Sequence, residues 1–269
     1  MFDHPDRIQT LLDERFGELP VLVLGDVMLD RYLWGDVRRI SPEAPVPVVR
    51  VGRRSQAPGG AGNVAFNLAT CGLRPTLLGV VGDDEAGAAL LAHLTASGIA
   101  AEDLVSSRTR PTTTKTRIIG GHQQMLRLDD EHDDALMPDD RTALDATADR
   151  LLAVGDFAAV ILSDYGKGVL NAELCLRVIA TARRRGIPVL VDPKGRDWAR
   201  YRGATTIKPN LGELADATGL RSSDGSGLEQ AGQRLVRDLE LNFIAFSRGS
   251  DGVSVLSSDR ATTIPTEAQ

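Results

Sequence analysis

Short apolar runs alternate with longer amphipathic stretches along most of this chain, and that alternation restricts the fold more than any other feature. Residues 21–26 (ending in Gly25-Asp26), 76–81, 158–162, 188–191 and 243–246 are runs of branched apolar residues, the pattern of strands buried on both faces. Between them, 60–71, 84–97, 139–154, 171–185 and 228–239 carry helical periodicity. Strands and helices alternating at this spacing predict a three-layer α/β/α arrangement with a mostly parallel central sheet. In such sheets, sites gather at the carboxyl ends of the strands.

Two segments, about 32–53 and 110–128, depart from this rule. They contain Val46-Pro47-Val48-Val49-Arg50-Val51 and Thr114-Lys115-Thr116-Arg117-Ile118-Ile119, rich in β-branched residues with a period near two, and Gly120-Gly121 reads as a turn. They read as a small β-sheet lid projecting from the main domain, or else as two surface hairpins without a role.

Charge and composition exclude several function classes. The formal net charge is −6, with Lys and Arg dispersed, so there is no basic stripe for nucleic acid. Any phosphate must be held by local chemistry. Cys71 and Cys175 both fall in apolar helical stretches and read as small buried hydrophobes. The four histidines, His4, His93, His122 and His132, lack metal-ligand spacing. Neither an apolar signal core nor a run of ~18 apolar residues is present, so a cytoplasmic chain with no membrane partner is expected.

Several motifs fall just past strand ends. Pro58-Gly59-Gly60-Ala61-Gly62-Asn63 feeds a helix, and glycines there let the backbone approach a ligand beside unpaired helix N–H groups. A plain strand-to-helix turn fits the same residues. Asp30 and Asn63 can accept and donate hydrogen bonds to sugar hydroxyls, or cap helices. Asn210-Leu211-Gly212-Glu213 offers an amide and a carboxylate suited to Mg²⁺ and its waters, and equally describes a capping box. In Ser247-Arg248-Gly249-Ser250-Asp251-Gly252, Ser247, Gly249 and Gly252 make either a nucleotide-binding loop or a hairpin turn. Lys167 and Lys194 each follow a strand and suit phosphate groups, or are solvated turn residues.

In this order, the motifs resemble those of the pfkB/ribokinase family of carbohydrate kinases over essentially the whole chain. Within that family, Arg39-Ile40-Ser41-Pro42-Glu43-Ala44-Pro45-Val46-Pro47-Val48, Leu162-Ser163-Asp164-Tyr165-Gly166-Lys167-Gly168, Asp192-Pro193-Lys194-Gly195 and Tyr201-Arg202-Gly203-Ala204 are similar to D-glycero-β-D-manno-heptose 7-phosphate kinases. The resemblance implies a ribokinase-like fold with a β lid that often forms a homodimer contact. It implies ATP and Mg²⁺ as cofactors, with Asn210–Glu213 in the ATP site. The reaction implied is transfer of the γ-phosphate to the anomeric hydroxyl, giving a heptose 1,7-bisphosphate on the route to ADP-heptose and lipopolysaccharide core. Another acceptor sugar, or a catalytically dead sugar- or nucleotide-binding module, are the alternatives.

Family members carry a C-terminal Gly-Ala-Gly-Asp motif whose aspartate is the catalytic base. No such motif occurs in residues 1–269, and Pro265-Thr266-Glu267-Ala268-Gln269 resembles the stretch just before it. The expectation is therefore a single kinase domain truncated at its C-terminus, inactive as given, with the catalytic Asp beyond Gln269. Some relatives carry an adenylyltransferase domain downstream, and nothing in these residues shows one.

Overall fold

A computed structural model describes residues 5–10, 13, 17 and 19–266. The rest of the amphipathic start, and Glu267, Ala268 and Gln269, lie outside the described residues. α1 (Pro5–Thr10) precedes β1 (Pro20–Gly25). The hairpin of β2 (Val27–Ile40) and β3 (Pro47–Gly60) follows, then α2 (Ala61–Thr70), β4 (Arg74–Leu78), β5 (Val80–Gly82), α3 (Glu85–Ala96) and β6 (Val105–Ser107). A second hairpin, β7 (Thr114–Gly120) and β8 (Gln123–Asp130), leads to α4 (Pro138–Val154), β9 (Ala159–Ser163), α5 (Ala172–Arg184), β10 (Val189–Asp192) and β11 (Thr206–Ile207). The described chain closes with α6 (Leu211–Thr218), α7 (Ser226–Asp238), β12 (Phe243–Ser247), β13 (Val253–Leu256) and β14 (Ala261–Ile264).

The central sheet has eight strands in the order β14-β13-β12-β11-β10-β9-β1-β4. From β4 to β12 all neighbours are parallel, and β13 and β14 are antiparallel additions at one edge. Strand pleating sends alternate side chains to opposite faces, and β1 shows the result. Leu22 and Leu24 join a core beneath α4, α5, α6 and α7. Val21 and Val23 join a second core beneath α2 and α3. At the β10–β13 end the second face carries Leu190 and Val253, which stay 37% and 42% exposed.

Local chemistry sets the helix starts. Asp84 caps α3 by accepting from Gly87 N at 2.7 Å, and Asn171 caps α5 by accepting from Leu174 N at 2.8 Å. Pro138 opens α4, where its missing N–H costs nothing. Cys175 on α5 is buried, and burial pushes its thiol up to about 12. Cys71 differs from the expectation: it lies exposed at the end of α2, where the helix has run past the core. The run at 76–81 also differs, dividing after Leu78. β4 stays beside β1, while β5 turns away and pairs in parallel with β6.

The two segments set apart at 32–53 and 110–128 form one four-stranded sheet, β3-β2-β7-β8, with strands that begin before and run past those limits. Asp30, Lys115 and Asp129 are register partners across β2, β7 and β8, so they share a face with Arg117, two residues beyond Lys115. Ile118, Leu126 and Leu128 lie on the other face, where Leu126 and Leu128 are 51% and 52% exposed.

Candidate active site

The carboxyl ends of β1, β9, β10 and β11 converge on one edge of the central sheet, and the small sheet joins it there. β1 ends in Gly25 and the chain passes through Asp26 directly into β2. Asp26 is buried, and its carboxylate accepts from Tyr165 N at 2.7 Å, Lys167 N at 3.1 Å and Val169 N at 3.2 Å. Burial raises its carboxyl above the usual range, and the three N–H groups oppose that shift. The loop after β9 is thereby tied to the end of β1. Asp164 anchors the same loop from the other side: it accepts from Tyr201 Oη at 2.6 Å and Gly166 N at 2.7 Å, with Arg200 Nη2 at 3.2 Å. Arg110 ties it to the end of the small sheet, donating to the carbonyls of Lys167 (2.5 Å), Asp134 (3.0 Å) and His132.

Asp30 occupies the face of β2 turned to this edge. Its Oδ1 takes the Arg117 Nη1 at 2.5 Å, so it is braced by β7 and is not a helix cap. Gly59 on β3 must lack a side chain, because a Cβ there would come within 2.8 Å of Asp30 Oδ2. Gly60 turns the strand into α2 at φ 57°, and a Cβ there would meet the Asp26 carbonyl at 2.3 Å. The expected glycine-rich turn is thus an abrupt strand-to-helix corner. Asn63 is exposed on the first turn of α2, and its side chain makes no hydrogen bond among the described residues. Neither residue is spent on capping.

On the other side of the edge, Asn210 and Glu213 form a capping box at the start of α6. Asn210 Oδ1 accepts from Glu213 N at 2.9 Å, and Glu213 Oε2 accepts from Asn210 N at 2.8 Å. The Asn210 amide NH₂ and Glu213 Oε1 remain free for other partners. Leu211 and Gly212 belong to the first turn of α6. Ser247 lies beside Asn210 through a single parallel bridge, so residues 210–213 and 247–252 are neighbours in space. Residues 247–252 are a hairpin between β12 and β13, with Gly249 and Gly252 at positive φ (63° and 96°). Arg248 is held inside it by Gly252 and Glu229, with its amide donating to the Gly252 carbonyl at 2.8 Å and Nη1 3.3 Å from Glu229 Oε1.

Lys194, exposed after β10, packs near the Gly166 backbone, so both predicted lysines flank the same loop. Lys167 is ion-paired with Glu131 at 2.7 Å. Two residues that the motifs contained but did not single out lie between the two ends of the edge. Tyr165 is half-buried, and burial first, then Asp192, raises its phenol, with Asp30 and Glu213 also within electrostatic reach. The Asp192 carboxyl is likewise raised by burial, with Lys208 opposing and Glu213 reinforcing. Its side chain makes no hydrogen bond or ion pair among the described residues. Both could have been found by asking which side chains follow directly on the strand ends, since they stand in the quoted stretches. Arg117 and Glu131 carried no such signal, because their partners are far away in sequence.

The arrangement offers a carboxylate braced by Arg117 at one end and a helix N-terminus with a free carboxylate oxygen at the other. Among the described residues, no group of three or more His, Cys, Asp or Glu is placed to hold a metal ion, and no helix is long and apolar enough to cross a membrane.

Comparisons with known proteins agree with this fold. The chain is 49% identical over 247 residues to the "Bifunctional protein HldE" of Methylobacillus flagellatus, covering 91% of this chain and 50% of that one. It is 46% identical over 263 residues to the same-named protein of Magnetococcus marinus, covering 96% and 53%. The chain therefore spans about half the length of the curated relatives it matches. Among solved structures, the tetrameric inhibited form of Escherichia coli phosphofructokinase-2 superposes with TM-score 0.73 at 20% identity, over 94% of this chain and 81% of that one. Arabidopsis thaliana ribokinase complexed with ribose and ATP gives 0.67 at 17% identity, over 93% and 78%. The fold is ribokinase-like. With residues 19–269 also matching the family described as pfkB family carbohydrate kinase, this chain belongs to the pfkB carbohydrate kinases.

Proposed function

We propose that this chain is the sugar- and nucleotide-binding part of an ATP-dependent kinase that phosphorylates D-glycero-β-D-manno-heptose 7-phosphate at its anomeric hydroxyl. The observation that carries the reading is Asp30, braced by Arg117 against Gly59, with Tyr165 within electrostatic reach of both it and Glu213. A fixed carboxylate at that place grips sugar hydroxyls, and Asn63 adds an amide to the same polyol. The four heptokinase-like stretches named above favour the heptose over other acceptors. The same product leads towards ADP-heptose and lipopolysaccharide core in the cytoplasm.

ATP lies at the α6 end. The Asn210 amide donates to phosphate oxygens, and the hairpin of Ser247, Gly249 and Gly252 backs the nucleotide. Mg²⁺ fits through water on Glu213 Oε1. The Asn210 oxygen accepts from Glu213 N and keeps a second lone pair, so Asn210 can share the metal's waters as well as serve phosphate. When bound, the ion screens triphosphate charge. Lys194 and Lys167 offset phosphate charge on the loop side. The sugar hydroxyl attacks the γ-phosphorus, the bond to the β–γ bridging oxygen breaks, and the hydroxyl proton passes to a base.

Three of the carboxylates at this edge do not offer that base. Asp26 and Asp164 are sealed by hydrogen bonds, and Asp30 is held by Arg117. Residues 1–269 contain no Gly-Ala-Gly-Asp, so we assign them binding without efficient turnover. The small sheet acts as a lid over the sugar, and its apolar outer face, with exposed Leu126 and Leu128, pairs with a second copy. Calorimetry with heptose 7-phosphate and with ATP tests binding directly, and retention of sugar binding without turnover is the expected result for this chain.

A further inference from the structure

Lys167 does not stand free at the sheet edge. Its Nζ is 2.7 Å from Glu131 Oε1, and Oε2 of the same carboxylate is 2.6 Å from Lys115 Nζ. Lys167 belongs to the loop after β9, Lys115 to β7, and Glu131 follows the end of β8 directly. One carboxylate thus bridges two ammonium groups from different sheets. Lys115 is the register partner of Asp30, so the bridge lies on the face of the small sheet that carries the sugar-binding carboxylate. The neighbouring Asp129 is gripped by both arms of Arg127 at 2.8 and 2.9 Å, with Lys115 further off at 3.1 Å. Glu131 is therefore the principal counter-ion of both lysines. Burial works against its charge, yet the two lysines hold its carboxyl below the usual range.

Two ammonium groups that one carboxylate can span are also within the span of a phosphate, whose second charge they would satisfy better. Glu131 is partly exposed, so once displaced it can turn to water without stranding a buried charge. We propose that Lys115 and Lys167 seat the substrate's own phosphate, and that Glu131 fills this seat as an internal anion until a phosphorylated sugar displaces it. This rests on the reading of the Asp30 site as a phosphosugar site. An unphosphorylated sugar leaves Glu131 in place and gains nothing from the lysines, so the exchange selects for the phosphate.

The test is calorimetry on this chain and on Glu131→Gln, Lys115→Met and Lys167→Met. The probes are heptose 7-phosphate, unphosphorylated heptose and inorganic phosphate. Each lysine variant should bind heptose 7-phosphate about tenfold or more weakly. Glu131→Gln, relieved of the competing charge, should bind it roughly threefold or more tightly. Unphosphorylated heptose should bind all four proteins alike. Glu131→Gln binding the phosphosugar no better or worse overturns the displacement. Lysine variants that lose phosphorylated and unphosphorylated heptose equally overturn the seat. Failure of the sugar reading looks different: neither heptose binds any protein, while inorganic phosphate still tightens in Glu131→Gln and weakens in the lysine variants.

Discussion

Asp30 and Arg117 stand 87 residues apart in sequence and 2.5 Å apart in the fold. Asp30→Ala removes the hydroxyl acceptor, and sugar binding should weaken by about 1–3 kcal/mol by calorimetry while ATP binding is unchanged. A fall in melting temperature with unchanged sugar affinity would make the pair structural. Glu213→Gln keeps an oxygen for the Asn210 N–H and so keeps the capping box. It removes the charge on the free oxygen, so thermal stability should hold while the Mg²⁺ concentration needed for half-maximal rate rises, measured in a chain extended past Gln269 with the matching segment of a full-length relative. An unchanged Mg²⁺ dependence would leave Glu213 as a cap alone. At this scale the sequence exposes chemical type and strand-end position, which is what singles out Asp30, Lys167 and Glu213. It does not expose long-range pairing. Arg117, Glu131 and Lys115 lie inside an alternating strand pattern or an acidic run and look like ordinary solvated residues until β2, β7 and β8 are aligned.

The elements were legible where one physical signal dominates. Apolar runs became β1, β9, β10 and β12, and cap residues marked the starts of α3, α5 and α6. The run at 76–81 was misread as one strand, because an apolar run carries no mark of which partner each half will take. Asp84 shows how caps also set tertiary geometry. Besides capping α3, it accepts from Thr112 N and Oγ1, both at 2.8 Å, fixing the entry to β7. Burial pushes the Asp84 carboxyl up, but Thr112 and Gly87 outweigh it and hold the carboxyl below its ordinary value. A depressed carboxyl contributes stability that is present above its unfolded value and lost as pH falls through its folded one. Asp84→Ala should therefore cost about 1–2 kcal/mol near neutral pH. Denaturation curves of the two proteins should converge below about pH 4. A gap independent of pH would mean the carboxylate charge is not what holds the corner.

On the scale of the whole molecule, two sheets meet at one edge, and each presents a different face to the site and to solvent. The small sheet turns Asp30, Lys115 and Arg117 inward and Leu126 and Leu128 outward. If the outer face joins two copies, Leu126→Glu with Leu128→Glu should shift sedimentation to the monomer while the melting transition stays single. An unchanged sedimentation coefficient would place any assembly elsewhere. The general architecture was legible from alternation alone. The catalytic base was not, because neither strand-end position nor residue type in these 269 residues singles one out. In the proposed reaction, this edge positions the anomeric hydroxyl of heptose 7-phosphate for attack on ATP. It is tested by product analysis with phosphorus NMR, with ATP, Mg²⁺ and a panel of sugars, on this chain and on the chain extended past Gln269 with the matching segment of a full-length relative. Heptose 1,7-bisphosphate is expected from the extended chain, with turnover at least about 10²-fold lower from residues 1–269. Phosphorylation of another sugar in preference, or equal turnover by the two proteins, would contradict it.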